Sequence, residues 1–366
     1  MSVFDRLPLL PTTVVGSYPV PEWMERLKTD YYRGRISRAQ LQSVHDMAIK
    51  AALRDQELAG IDIVSDGEMR RDNDIDYFLA RIPGIVIAQT SKEFYFDYYD
   101  TAVHQPLPLP TGTELSWLAE DFAFTAAHTC APIKFSFTGP YSLARRIRDD
   151  AYTDKRELVL ALAHRLNDAA HALAARGVKL LQIDEPFLAG YPRDVEIAVE
   201  AVNVVTRDVD ISWALHVCYG NRYARPSWEG HYDFLFPAVL NARVDQLVLE
   251  FARKGYADLP VIEKFGWDRR VGLGVIDVKS QRVETADTVA ARINAALELV
   301  PPEQLVINPD CGLRNLSGDV ARAKLAAMVE GTSQVRRGLQ TQPSPPAAPE
   351  NAANDPVAQG VLSDAI

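Results

Sequence analysis

Positive charge, cysteine and long apolar runs are all scarce in this sequence, and each shortage narrows what the chain can be. Lys and Arg number 39 against 49 Asp and Glu, a formal net charge of −10 with a pI near 5.3. Such a balance argues against nucleic acid or an anionic membrane as the main partner, because either selects for a basic face. A small-molecule substrate fits better. Three cysteines, Cys130, Cys218 and Cys311, cannot all pair with one another, and their spacing offers no disulfide framework. A reducing compartment is the natural expectation. No apolar run approaches the roughly 18 residues needed to span a bilayer, and Met1-Ser-Val-Phe-Asp-Arg lacks the basic-then-apolar pattern of a signal segment. The sequence therefore reads as a soluble cytoplasmic protein.

What is present is ordinary globular composition, 47% hydrophobic and 24% charged over 366 residues, enough for a sizeable core in one large domain or two. Thr12-Thr-Val-Val-Gly-Ser-Tyr-Pro reads as a strand broken at Gly16. Ser37 is a plausible N-cap for a helix whose apolar residues recur at helical spacing until Gly60 ends it. A second strand, Ile61-Asp-Ile-Val, follows and leads to Asp66 and Glu68. The aromatic and proline-rich segment of about 83–127 breaks this rhythm and reads as an inserted hairpin and loop, ending in a helix near Glu114 to Ala127. Alternation then returns, with strands ending near Thr138, Asp184, His216, Glu250, Asp277 and Asp310. Helices are expected over 155–176, 195–205, 232–240 and 286–299.

Eight strands, most followed by a helix, predict an α/β fold of the (β/α)8 TIM-barrel type with an excursion after the second strand. A doubly wound open sheet is the alternative, but no Gly-x-Gly-x-x-Gly follows the first strand. The barrel is expected to occupy residues 1–338, and the Pro- and Ala-rich stretch 339–366 to be a disordered tail.

The barrel reading also gathers polar residues at one mouth. His216 and Cys218, two apart on an extended strand, point the same way and can grip one borderline-soft ion. Glu250 and Cys311 end two later strands and can complete the set. Two thiolates would weaken such a metal as a source of hydroxide while leaving a coordinated thiol anionic and nucleophilic. The other reading is a closed structural zinc site, although no Cys-x-x-Cys knuckle is present. Glu68 and Asp184 would hold the ammonium of an amino-acid substrate, or else pair with arginines such as Arg70 and Arg71. Gly16 and the amide of Ser17 would meet its carboxylate.

Thr12-Thr-Val-Val-Gly-Ser-Tyr-Pro, Asp66-Gly-Glu-Met-Arg-Arg, Phe137-Thr-Gly-Pro, Gln182-Ile-Asp-Glu-Pro, His216-Val-Cys-Tyr, Leu249-Glu-Phe, Gly274-Val-Ile-Asp and Val306-Ile-Asn-Pro-Asp-Cys-Gly-Leu-Arg resemble, in order, the catalytic half of cobalamin-independent methionine synthases. The resemblance covers roughly 11–337. It implies zinc at His216, Cys218, Glu250 and Cys311, homocysteine near Gly16, Ser17, Glu68 and Asp184, and methionine as product. Three departures concern the pterin side. Asp277-Val-Lys279-Ser stands where the family has Asp-Ile-His-Ser, which puts Asp277 and Lys279 on the expected donor side. Phe187-Leu-Ala-Gly190 lacks the family's acidic residue, and Tyr141-Ser-Leu-Ala-Arg-Arg lacks its tryptophan. The methyl donor therefore stays open between a methylated folate and methylcobalamin, the latter carried by a corrinoid protein. An alkyltransferase for another thiol, such as coenzyme M, and a non-catalytic zinc-binding barrel are the competing readings.

Overall fold

The computed structural model describes residues 3–88, 97–113 and 115–341. Six parallel strands form its centre in chain order: Lys134–Thr138, Leu180–Asp184, Ser212–Val217, Gln246–Leu249, Arg270–Ile276 and Leu305–Pro309. Two further segments close this sheet on itself. Thr12 bridges Ile307, Thr13 bridges Ile63 and Val64 bridges Ile133, all in parallel. The Thr13 N–H donates to the Ile307 carbonyl at 2.8 Å and the Lys134 N–H to the Val64 carbonyl at 2.9 Å. The ring of eight is the expected (β/α)8 barrel. Its first members are short partly because the Thr12 N–H leaves the ladder for the Asp62 carboxylate, 2.8 Å away.

Side chains two apart on a strand share a face, and this period divides the barrel interior into an apolar floor and a polar upper half. Val15, Ile63, Leu180, Ala214, Val248 and Val306 form a small core of their own with Phe4. Leu181, Ile183, Leu215, Leu247 and Leu273, on the opposite face, join the larger core under the helices. Moving along the inward face, Leu180 gives way to Gln182 and Asp184, Ala214 to His216, Val248 to Glu250, and Val306 to Asn308 and Asp310. Burial of so many polar groups is tolerable because backbone amides and cations meet them. Asp310, for example, accepts the N–H groups of Phe251, Ala252 and Arg253 at 2.7–2.9 Å, which pins the loop that follows Glu250.

Local signals explain the outer shell. The helix Arg38–Ala59 begins with a capping box in which Ser37 Oγ accepts the Gln40 N–H and Gln40 Oε1 accepts the Ser37 N–H. It stops at Gly60, whose φ of +82° is cheap only for glycine. Lys155–Ala175, Val195–Val205 and Ala286–Leu297 are helical as the periodicity predicts. The helix Gly318–Thr341 packs against both Ala286–Leu297 and Arg38–Ala59.

Elsewhere the structure differs from the sequence-based expectation. The stretch expected to be helical over 232–240 is two 3-10 turns, Tyr232–Leu235 and Ala238–Asn241, because Pro237 supplies no N–H to a continuous helix. The helix Glu22–Tyr32 was not anticipated. In the excursion, Val86–Ala88 pairs antiparallel with Asp100–Val103, which in turn lies parallel to Ile147–Asp149, a strand beyond the third barrel member. Its helix runs Trp117–Ala126, and Glu114, like 89–96, lies outside the described residues. Residues 339–341 are the last turn of the helix Gly318–Thr341, not the start of a tail; the remainder, 342–366, lies outside the described residues. No described helix is long and apolar enough to cross a membrane.

Candidate metal centre and substrate cavity

His216 and Cys218 leave the third main-sheet strand, and Cys311 follows the last, so barrel closure brings together residues 93 positions apart. Their ligand atoms all lie within 4.8 Å of one another and all three residues are buried. The two Sγ atoms stand 3.5 Å apart, too far for a disulfide at about 2.05 Å. That spacing suits two ligands of one tetrahedral zinc, whose bond lengths place neighbouring donors roughly 3.3–3.8 Å apart. The Asp184 carboxylate lies 2.9 Å from His216 Nδ1, which fixes the proton there and leaves the Nε2 lone pair outward. Nε2 is buried and has no hydrogen-bond partner. Burial opposes a charge on His216, yet Asp184 and the neighbouring Cys311 sulfur raise its pKa to about 9, a proton that a cation at Nε2 would replace, while the Cys218 sulfur and burial push the Cys311 thiol well above its ordinary range. A buried lone pair beside two crowded sulfurs is a donor set that matches a zinc-class cation.

Glu250, expected as the fourth ligand, is held otherwise. It is completely buried, with Oε2 accepting from Lys279 Nζ at 2.8 Å and Oε1 from Arg253 Nε at 2.7 Å. Both oxygens are engaged by cations, and Glu250 is not part of the three-residue ligand group. Lys279 is thereby relocated. It does not line the cavity but bonds Glu250, where burial is outweighed by Cys311 and Glu250, which raise its pKa and keep it charged. Asp277 does not line the cavity either; its Oδ1 accepts the Lys279 N–H at 2.8 Å and shapes the turn.

His216, Cys218 and Cys311 border a cavity of about 570 Å³, which Ser17, Glu68 and Asp184 also line. Glu68 sits at φ +56°, a left-handed conformation costing about 1–2 kcal/mol for a residue with a side chain. Its N–H donates to Asp66 Oδ1, and its Oε1 meets Arg71 Nη1 and Ser136 Oγ, each at 3.0 Å. The arginine-pairing alternative thus holds for Glu68 through Arg71, whereas Arg70 pairs with Asp46 and Asp121. Gly16 is required by this arrangement, since a Cβ there would stand 2.4 Å from Glu68 Oε1. Glu185, next to Asp184, is structural: it accepts the Tyr141 and Ser142 N–H groups at 3.1 and 2.7 Å.

The cavity also exposes Tyr98, Arg146, Phe187, Arg222 and Trp228, none singled out as site residues by sequence. The hints were the aromatic richness of the excursion that carries Tyr98 and the departures at 141–146 and 187–190, which include Arg146 and Phe187.

The catalytic-domain model of the cobalamin-independent synthases matches residues 10–334. The chain belongs to the cobalamin-independent methionine synthase family. It is similar to the methionine synthase of Saccharolobus solfataricus, 36% identical over 92% of this chain and 98% of that one. The Sulfurisphaera tokodaii methionine synthase is 34% identical, over 92% and 96%. Among solved structures, the B12-independent methionine synthase of Shewanella sp. W3-18-1, in complex with selenomethionine, superposes with a TM-score of 0.79 at 27% identity, covering 91% of this chain and all of that one. Family membership agrees with the barrel, and the sites sit at the strand ends where barrels carry their chemistry.

Proposed function

We propose that this chain is a methyltransferase that moves a methyl group onto the thiol of homocysteine to form methionine, using zinc held by His216, Cys218 and Cys311. The observation that carries the reading is the convergence of those three buried donors on a cavity that also presents Ser17, Glu68 and Asp184. A closed structural site would not open onto a space of about 570 Å³. Bound there, zinc supplies a positive charge that keeps a thiol deprotonated and still nucleophilic.

The chain's own residues position everything else. Asp184 holds His216 by Nδ1 and is itself steadied by Gln182 Nε2 at 2.7 Å. Glu68, fixed by Arg71 and Ser136, offers its carboxylate to the substrate ammonium, and the Gly16–Ser17 turn faces the substrate carboxylate. In the transfer, the sulfur lone pair forms the new carbon bond while the donor keeps the electrons of the bond it loses. Glu250 joins the metal only by leaving Lys279 or Arg253. The free cysteines suit a reducing cytoplasm, and the barrel works as one domain on small molecules.

Zinc analysis of the purified protein, paired with methionine formation from homocysteine, tests the proposal; full activity without metal rejects it. Asp184→Asn keeps the cavity but weakens the hold on His216. Zinc affinity should fall about 10–100-fold, as is usual for a partner that orients a metal-binding histidine. Chelator competition reads this directly, and an unchanged affinity would remove Asp184 from that role.

A further inference from the structure

A space of about 570 Å³ is ample for a drug-sized molecule and more than a small amino acid at the metal needs. The rest of its lining therefore bears on the second substrate. Two features there lack any role in thiol binding. The first is Arg146, whose guanidinium lies 4.5 Å from the centre of the Tyr98 ring, with Arg222 on the same ring at 4.9 Å. Arg222 has an acidic partner, Asp97 at 3.3 Å, and Arg71 has Glu68. Among the described residues no carboxylate pairs with Arg146, and its Nε is buried without a hydrogen-bond partner. An arginine whose charge is unmatched inside a concave site is suited to a carboxylate or phosphate.

The second feature is an aromatic wall. Trp228 lies directly against Gly190, where a Cβ would come within 2.2 Å of the indole. Phe187 meets Trp228 edge to face at 5.5 Å. Gly190 thus leaves room for an indole supplied by a different loop, and that indole faces the cavity.

We propose that the methyl donor carries an anionic group bound by Arg146, and that Trp228, seated on Gly190, forms the wall against which its ring system rests. This deepens the methyltransferase reading and rests on it. The source of the anion is a polyglutamate carboxylate or a nucleotide-loop phosphate, and donors of each kind separate the two.

The experiment uses the full zinc-loaded chain and its zinc-free form, with Arg146→Ala, Arg146→Lys and Trp228→Ala. Probes are methyltetrahydrofolate as mono- and triglutamate, and methylcobalamin. Binding is followed by quenching of tryptophan fluorescence, and KM for donor and for homocysteine where turnover occurs. Arg146→Ala should weaken the donor about 10–100-fold, the worth of one charge-assisted hydrogen bond. Arg146→Lys should restore part of it, and KM for homocysteine should stay within about twofold, because the metal end of the cavity is untouched. Loss of the triglutamate preference assigns a carboxylate; loss of methylcobalamin binding assigns a phosphate. Trp228→Ala should weaken the donor and lower the quenching. If Arg146→Ala binds every probe as the parent does, or weakens homocysteine equally, the assignment is wrong. Absence of zinc and of any methylation would instead overturn the methyltransferase reading, which the zinc-free binding data do not depend on.

Discussion

Cys311→Ser loses zinc and methionine formation together. Serine keeps the shape but replaces a soft thiolate by a hydroxyl that stays protonated, so one of three converging donors disappears. The affinity loss should exceed the roughly 10–100-fold expected for an outer partner such as Asp184, and His216→Ala should behave alike. Cys130→Ser is the matched control, because Cys130 is exposed and outside the ligand group. Metal content after dialysis against a weak chelator separates the variants. Full zinc occupancy in Cys311→Ser would remove that residue from the metal set.

Lys279→Met destabilises the metal-free protein strongly and the zinc-loaded protein less. Glu250 and Lys279 are 0% and 4% exposed at their side chains, so removing the ammonium leaves Oε2 of a buried carboxylate with only the Tyr219 N–H, 3.3 Å away. Breaking a buried pair by deleting one partner costs about 3–5 kcal/mol. Arg253 remains on Oε1 and keeps the loss near the lower figure. With zinc present, the freed Oε2 gains a second cation to turn to, and ligation offsets part of the deficit. Chemical denaturation with and without zinc reads both halves. An equal loss in the two forms would mean that Glu250 does not reach the metal even when released.

These two expectations also bear on what was legible in the sequence and what was not. His216, Cys218 and Cys311 were legible because strand periodicity fixes which side chains share a face, and because strand ends in a barrel meet at one mouth. The pairing of Lys279 with Glu250 was not legible, for a complementary reason. Asp277 turns the chain by accepting the Lys279 N–H, and the ammonium then folds back onto a carboxylate 29 positions earlier. Nothing local in Asp-Val-Lys-Ser encodes that return. Arg146, Tyr98 and Trp228 were missed because they sit in turns and loops, where no period ties residue to direction. The excursion was visible as a break in rhythm, but its pairing with Ile147–Asp149 is a non-local contact invisible to composition.

If three donors hold one ion that a substrate sulfur can join, the metal's surroundings must change when homocysteine binds. Zinc K-edge X-ray absorption of the loaded protein, before and after homocysteine, tests it most directly. Two sulfurs, from Cys218 and Cys311, are expected around the metal, and one more sulfur when the thiol is added. A shell that is identical in both spectra would contradict it and leave a metal that serves structure alone.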